Sequence, residues 1–168
     1  MTSSVEKSET RKQLQPMLDY TKLHQLFAEN QWREADLETK RLILSARGKD
    51  SQKEIEIEDL SQISYDCLEK LDRLWRKYSS DRFGFSRQYQ LWQSLGGNKP
   101  DANYQTWLNF GKQVGWLDKC WLSWSQLNFS IDAPVGSLPA AWVEEWEYGD
   151  FVITLFSRFE AEIGDWVQ

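Results

Sequence analysis

At 168 residues the chain has the length of one compact domain, about 100 to 200 residues, and enough of it to bury a core without disulfide staples. Leu, Ile, Val and Phe supply 40 of those residues, above the roughly one fifth below which a chain stays disordered. The net charge of −6 is spread as −2 over residues 1–60, +3 over 61–100 and −7 over 101–168, a balance that repels phosphate backbones and excludes nucleic acid as the expected partner.

Residues 1–15 are Ser, Thr, Lys and Glu rich and are expected to form a disordered tail, because they bury too little to offset ordering entropy. Residues 16–168 are expected to form one helical domain. After Pro16, Leu23, Leu26 and Phe27 share a helical face that ends at Glu29, Asn30 and Gln31. A second helix over 32–46 turns Trp32, Ala35, Thr39, Leu42 and Ile43 inward, with Gly48 placed to end it. Together they predict an antiparallel hairpin. Residues 49–54 read as polar linker, and Ile55 and Ile57 alternate with acids over a stretch too short to assign. From Asp66, a candidate N-cap, Leu68, Leu71, Leu74, Trp75 and Tyr78 keep a spacing of three and four while Glu69, Lys70, Asp72, Arg73, Arg76 and Lys77 take the other face. Residues 79–85 break this helix. Ser86 is then expected to cap one carrying Tyr89, Leu91, Trp92 and Leu95 up to Gly96 and Gly97. Another carries Tyr104, Trp107, Leu108 and Val114 and ends at Gly115. Pro134, Gly136 and Pro139 forbid helix in the following stretch, so a short extended piece around 127–131 and a long loop are expected. Val152, Leu155, Phe156, Phe159 and Ile163 return to helical spacing. The fold class is all-α.

The residues needed for enzymatic chemistry are scarce. His24 is the single histidine and the two cysteines, Cys67 and Cys120, are 53 positions apart, which gives no metal signature and no nucleophile–base pair. The same spacing suits a reducing compartment. There is no phosphate-cradling Gly-rich motif. Glu144, Glu145, Glu147 and Asp150 read as a solvated acidic face. The N-terminus lacks an apolar signal region, and no uncharged apolar run nears the roughly 18 to 20 residues that cross a bilayer. A non-catalytic protein without a metal centre or transmembrane segment is expected, in the cytoplasm.

Aromatic content is the feature that points to function. Seven of the ten Trp follow residue 100. Trp75, Trp92 and Trp107 stand at helical spacing and read as core. Phe83, Phe85, Trp116, Trp121, Trp124 and Phe129 fall on irregular backbone, where a concave aromatic site and simple core packing are both open readings. Were they a site, Arg82 and Arg87 on either side of Phe83 and Phe85 would suit a large flat apolar ligand bearing anionic groups.

Several strings occur in an order that resembles the genomes-uncoupled-four family: Leu71-Asp72-Arg73-Leu74-Trp75, Tyr78-Ser79, Arg82-Phe83-Gly84-Phe85-Ser86 with Gln88, Val114-Gly115-Trp116, and Ala133-Pro134-Val135-Gly136-Ser137-Leu138-Pro139. Upstream, Trp32, Ala35-Asp36 and Thr39 look like that family's first helical hairpin. The resemblance covers residues 18–160. It implies a compact helical domain with an N-terminal hairpin and long loops forming a groove. The implied ligand is protoporphyrin IX or Mg-protoporphyrin IX, and the implied role is stimulation of magnesium chelatase in chlorophyll synthesis, with the chelatase large subunit as candidate partner. The implied location is a cyanobacterial cytoplasm or the plastid stroma, with peripheral membrane association as a further option. By position, loop 82–86 and residues 116–139 correspond to the family's groove, which adds Pro134 and Leu138 to Arg82, Phe83, Phe85, Arg87, Trp116, Trp121, Trp124 and Phe129 as porphyrin-contacting candidates. This chain carries Ser137 where the family motif reads Gly-His-Leu-Pro, and Trp142, Glu144, Glu145 and Glu147 follow where members carry bases. Those departures favour, as the alternative, an interaction or sensory module with a changed ligand or partner.

Overall fold

The computed structural model describes residues 17–141 and 149–163, and within them the three-and-four apolar spacing becomes seven α-helices. These are α1 (Thr21–Ala28), α2 (Trp32–Ala46), α3 (Ile57–Gln62), α4 (Tyr65–Tyr78), α5 (Phe85–Ser94), α6 (Tyr104–Gln113) and α7 (Asp150–Ile163). The described residues contain no strand, only an isolated bridge between Leu117 and Trp121 and a 3-10 turn at Trp124–Gln126. The all-α expectation is met. The tail at 1–15 and the Trp142, Glu144, Glu145 and Glu147 segment lie outside the described residues.

The hairpin of α1 and α2 closes because Asn30 accepts a left-handed φ of 55°, which Asn tolerates better than bulkier residues, and Gln31 N–H returns to the Leu26 carbonyl at 2.9 Å. Leu23, Leu26 and Phe27 then meet Trp32, Ala35 and Thr39, all buried. Helix α4 completes this half of the core. Its Trp75 is fully buried, edge-on to Phe27 at 4.8 Å. The buried indole N–H donates to Thr39 Oγ1 at 3.0 Å, and that hydroxyl donates to the Ala35 carbonyl at 2.8 Å. Left unpaired, such a donor would cost about 1–3 kcal/mol, so Trp75, Thr39 and Ala35 form one dependent set. His24 bonds Tyr78 Oη through Nδ1 at 2.8 Å, a structural contact within the same half.

Four local expectations are corrected. Ser64 caps α4, accepting from Cys67 N–H at 3.3 Å, and Asp66 lies in the first turn. Asp72 is not on the solvated face but 5% exposed. Its Oδ1 accepts from Ser86 N–H at 2.9 Å, so a carboxylate from α4 satisfies the amide end of α5, where both hydrogen bonding and the helix dipole favour negative charge. Ser86 is therefore not the cap of its own helix, and Gly84 occupies that position at φ 133°. Residues 55–57 make no strand: Ile55 is buried, and Ile57 opens α3 behind a Glu56–Asp59 capping box. Nor does the stretch around 127–131 pair as an extended strand.

Helix α7 packs on α3 and α5. Arg158 closes the C-terminal end of α3, its Nη1 donating to the Leu60 and Ser61 carbonyls at 3.0 and 2.9 Å and its Nη2 to the Ile63 carbonyl at 2.8 Å. No helix among the described residues is long and apolar enough to cross a membrane.

Gly84 is the least replaceable of these positions. A Cβ there would stand 2.7 Å from Asp72 Oδ1 and 2.9 Å from Arg76 Cγ, on backbone that side chains rarely adopt. Gly84→Ala is expected to lower unfolding stability by more than about 2 kcal/mol, read from urea denaturation by circular dichroism, with little change in the urea dependence of the unfolding free energy.

Candidate functional site

The long connection after α6 is bound to the helical body through peptide groups and buried polar side chains. Arg82 reaches into it from the α4–α5 turn, Nε donating to the Ile131 carbonyl at 2.9 Å and Nη2 to the Ala133 carbonyl at 2.7 Å. Its own carbonyl accepts from Gly136 N–H at 2.8 Å, and Gly84 N–H donates to the Leu138 carbonyl at 3.0 Å. Gln88 Nε2 donates to the Pro139 carbonyl at 2.9 Å, and Trp116 Nε1 to the Ser137 carbonyl at 2.8 Å. The strings 82–88 and 133–139, far apart in sequence, are thus two sides of one interlock.

The most consequential fastening comes from α2. Asp36 is fully buried, and its carboxylate accepts from the Trp124 indole N–H at 2.7 Å and from Ala140 N–H at 2.7 Å. Burial pushes its pKa up to about 7, outweighing the opposing pull of the hydrogen bonds from Trp124, Ala140 and Ala141. One carboxylate therefore sets both the aromatic tip of the loop and its return segment.

The ten sequence-nominated residues do not line one groove. Phe83 is fully buried between Trp32 and Trp75 at 5.5 and 6.3 Å, and Phe85 packs against Phe159 at 5.9 Å. Trp116 is buried edge-on to Phe110 at 5.6 Å, and Leu138 is also fully buried. These four are core: the loop folds back onto the helices, and large rings gain more from burial there than at a surface. Arg82 is spent on loop carbonyls, and Arg87 Nη1 donates to Gln90 Oε1 at 2.9 Å. Pro134 is exposed and packs beside Gly115, where a Cβ would meet its Cγ at 2.8 Å. Trp121 is partly exposed and stacks on Trp107 at 5.4 Å.

What the structure brings together is Trp124 and Phe129, both partly exposed, with ring centroids 4.9 Å apart. The exposed Arg33 of α2 places its guanidinium 5.0 Å from the Trp124 ring centroid and 5.6 Å from that of Phe129. The site offers two aromatic rings on a loop whose position is fixed from beneath, and a delocalised cation from α2. Sequence reasoning missed Asp36 and Arg33. An acid beside Ala35 on the inward side of a helix was a legible sign of a buried partner, whereas nothing local marks Arg33.

Residues 13–150 match the GUN4-like family. Among curated relatives, the ycf53 protein of Cyanidium caldarium is 30% identical over 125 residues, covering 71% of this chain and 49% of that protein. The chloroplastic tetrapyrrole-binding protein of Arabidopsis thaliana is 36% identical over 63 residues, covering 36% of this chain and 24% of that protein. The chain spans about half the length, or less, of these relatives. Among solved structures, GUN4 from Chlamydomonas reinhardtii superposes with a TM-score of 0.65 at 26% identity, covering 83% of this chain and 85% of the other. Ligand-free Arabidopsis thaliana GUN4 superposes with a TM-score of 0.64 at 22% identity, covering 84% and 96%.

The buried carboxylate has a measurable pH signature. With a folded pKa near 7 against about 3.9 unfolded, the folded chain binds more protons between those values, so this group's contribution to stability falls as pH rises from about 4 to 7 and is level above. The urea midpoint of the wild type relative to Asp36→Asn is expected to fall between pH 5 and pH 7 and then plateau. A difference that is flat with pH would contradict the burial of an ionisable group there.

Proposed function

The chain belongs to the GUN4-like family, and from that premise we propose that it is a non-catalytic, tetrapyrrole-binding regulatory protein that stimulates magnesium chelatase in chlorophyll synthesis. The ligand is protoporphyrin IX or its magnesium complex, the partner is the chelatase large subunit, and the place of action is a plastid stroma or a cyanobacterial cytoplasm. The Arabidopsis relative's own description as a tetrapyrrole-binding protein supports the ligand class.

The observation that carries this reading is the Trp124–Phe129 pair beneath Arg33. A porphyrin presents a broad apolar face and two propionates. Indole and phenyl faces stack against the first, and an exposed guanidinium forms charge-assisted hydrogen bonds with the second. Arg82 and Arg87 are less suited to the propionates: Arg82 is bonded to the Ile131 and Ala133 carbonyls and Arg87 to Gln90. The pairing role therefore passes to Arg33. His24, the chain's one histidine, is held by Tyr78, and no cluster of three or more metal-ligating side chains occurs among the described residues. The protein holds the macrocycle by its faces and edges and passes it on, leaving magnesium insertion to the chelatase.

Titration with protoporphyrin IX, followed by tryptophan quenching and the Soret band, tests the reading. Saturable binding at micromolar ligand is expected. Trp124→Ala and Phe129→Ala should each weaken it about five- to thirtyfold, equivalent to about 1–2 kcal/mol, and Arg33→Ala should weaken protoporphyrin more than its dimethyl ester. Absence of saturable binding overturns the ligand, and binding without any change in chelatase turnover leaves a tetrapyrrole-binding protein with a different partner.

A further inference from the structure

A cleft of about 460 Å³ opens between α5, α6 and α7 and shares no residue with the Trp124 loop tip. Its size falls in the range of about 300–1,000 Å³ typical of small-ligand sites. Trp92, Trp107 and Phe156 are among the buried rings that form its floor. Tyr104 and Ile153, on α6 and α7, are 57% and 44% exposed at its lips. Two large apolar side chains held open to solvent beside an aromatic floor are what a recognition site offers and what packing alone does not require.

The floor specifies the ligand's shape. Much of the Trp107 ring is already covered, by near-parallel Phe110 at 5.6 Å and 22°, by Trp121 at 5.4 Å and 25° and by the Gly149 backbone, where a Cβ would stand 2.9 Å from the indole, which leaves chiefly its edge for a ligand. Trp92 stands edge-to-face with Trp107 and Phe110, and the Gly97 backbone lies so close to its ring that a Cβ there would collide with it. Aromatic edges are the positive part of the ring quadrupole and attract the face of another ring. A single flat ring, laid face-on to these edges, fits better than a chain or a bare cation.

The wall specifies its charge. Glu160 is the one charged side chain among the described lining residues, and it is exposed. Glu160 shares the cleft with Tyr89, whose hydroxyl is raised above its usual value by burial and then by the negative charge of Glu160. Tyr89 Oη accepts from Gln93 Nε2 at 3.0 Å, leaving its own proton to donate.

We propose that this cleft is a second ligand site, for a compact aromatic amine whose ring lies on the edges of Trp92 and Trp107 and whose ammonium pairs with Glu160. The site is independent of tetrapyrrole binding and takes ligands of opposite charge.

The test uses the full chain with 2-phenylethylamine and its anionic counterpart 3-phenylpropionate as probes, reading the tryptophan indole signals by proton–nitrogen NMR. 2-Phenylethylamine is expected to shift the Trp92 and Trp107 signals saturably at millimolar concentration, and 3-phenylpropionate to leave them in place. Glu160→Gln should raise the dissociation constant about two- to fivefold without altering porphyrin titration, and Ser157→Trp, which fills the cleft from α7, should abolish the shifts. Equal response to both probes would overturn the charge assignment. No saturable shift with either, or shifts that survive Ser157→Trp, would overturn the site.

Discussion

A single buried carboxylate decides how the two halves of this molecule meet. Asp36 lies inside the first helical hairpin, yet its partners are the Trp124 indole and the Ala140 amide, 88 and 104 residues further along the chain. Burying an ion is costly unless hydrogen bonds compensate it, so these donors are obligatory wherever the carboxylate is charged. The consequence reaches the surface. An irregular loop, which would otherwise sample many conformations, holds a half-exposed indole and phenyl at a fixed distance from Arg33 on α2.

The rest of the loop follows from the same economy of peptide groups. A connection without helix or strand must place its carbonyls and amides somewhere, and here they meet Arg82, Gln88, Trp116 and Asp36 in turn. Asp72 repeats the device on a smaller scale, satisfying α5 from α4. Asp36, Asp72 and Gln88 are each matched to a backbone group of a distant segment. That gives a small all-α domain an irregular surface fixed by named hydrogen bonds.

This division explains what was legible in the sequence. Helices α1, α2 and α4 to α7 could be read because burial on one face imposes a period of three to four residues, and Trp75, Trp92 and Trp107 were correctly assigned to the core on that ground. Loop aromatics carry no such period. Phe83 and Phe85 are spaced like neighbours on one wall but point into different parts of the core, beside Trp32 and beside Phe159. Asp72 was misread because a charged residue was assigned to solvent, when its compensation comes from another helix. Arg33 meets Trp124 and Phe129 only through the loop's return to α2. Family resemblance pointed to a loop, and tertiary contact chose which of its rings remain outside.

The most direct measurement of the claim that Asp36 positions the site is the proton–nitrogen NMR titration of the tryptophan indoles between pH 5 and pH 9. The Trp124 signal, bonded to an ionisable carboxylate, should move with a midpoint near pH 7, while those of Trp75 and Trp116, bonded to the Thr39 hydroxyl and the Ser137 carbonyl, should not follow that midpoint. A Trp124 indole that is insensitive to pH and exchanges with solvent as fast as a free indole would contradict the account.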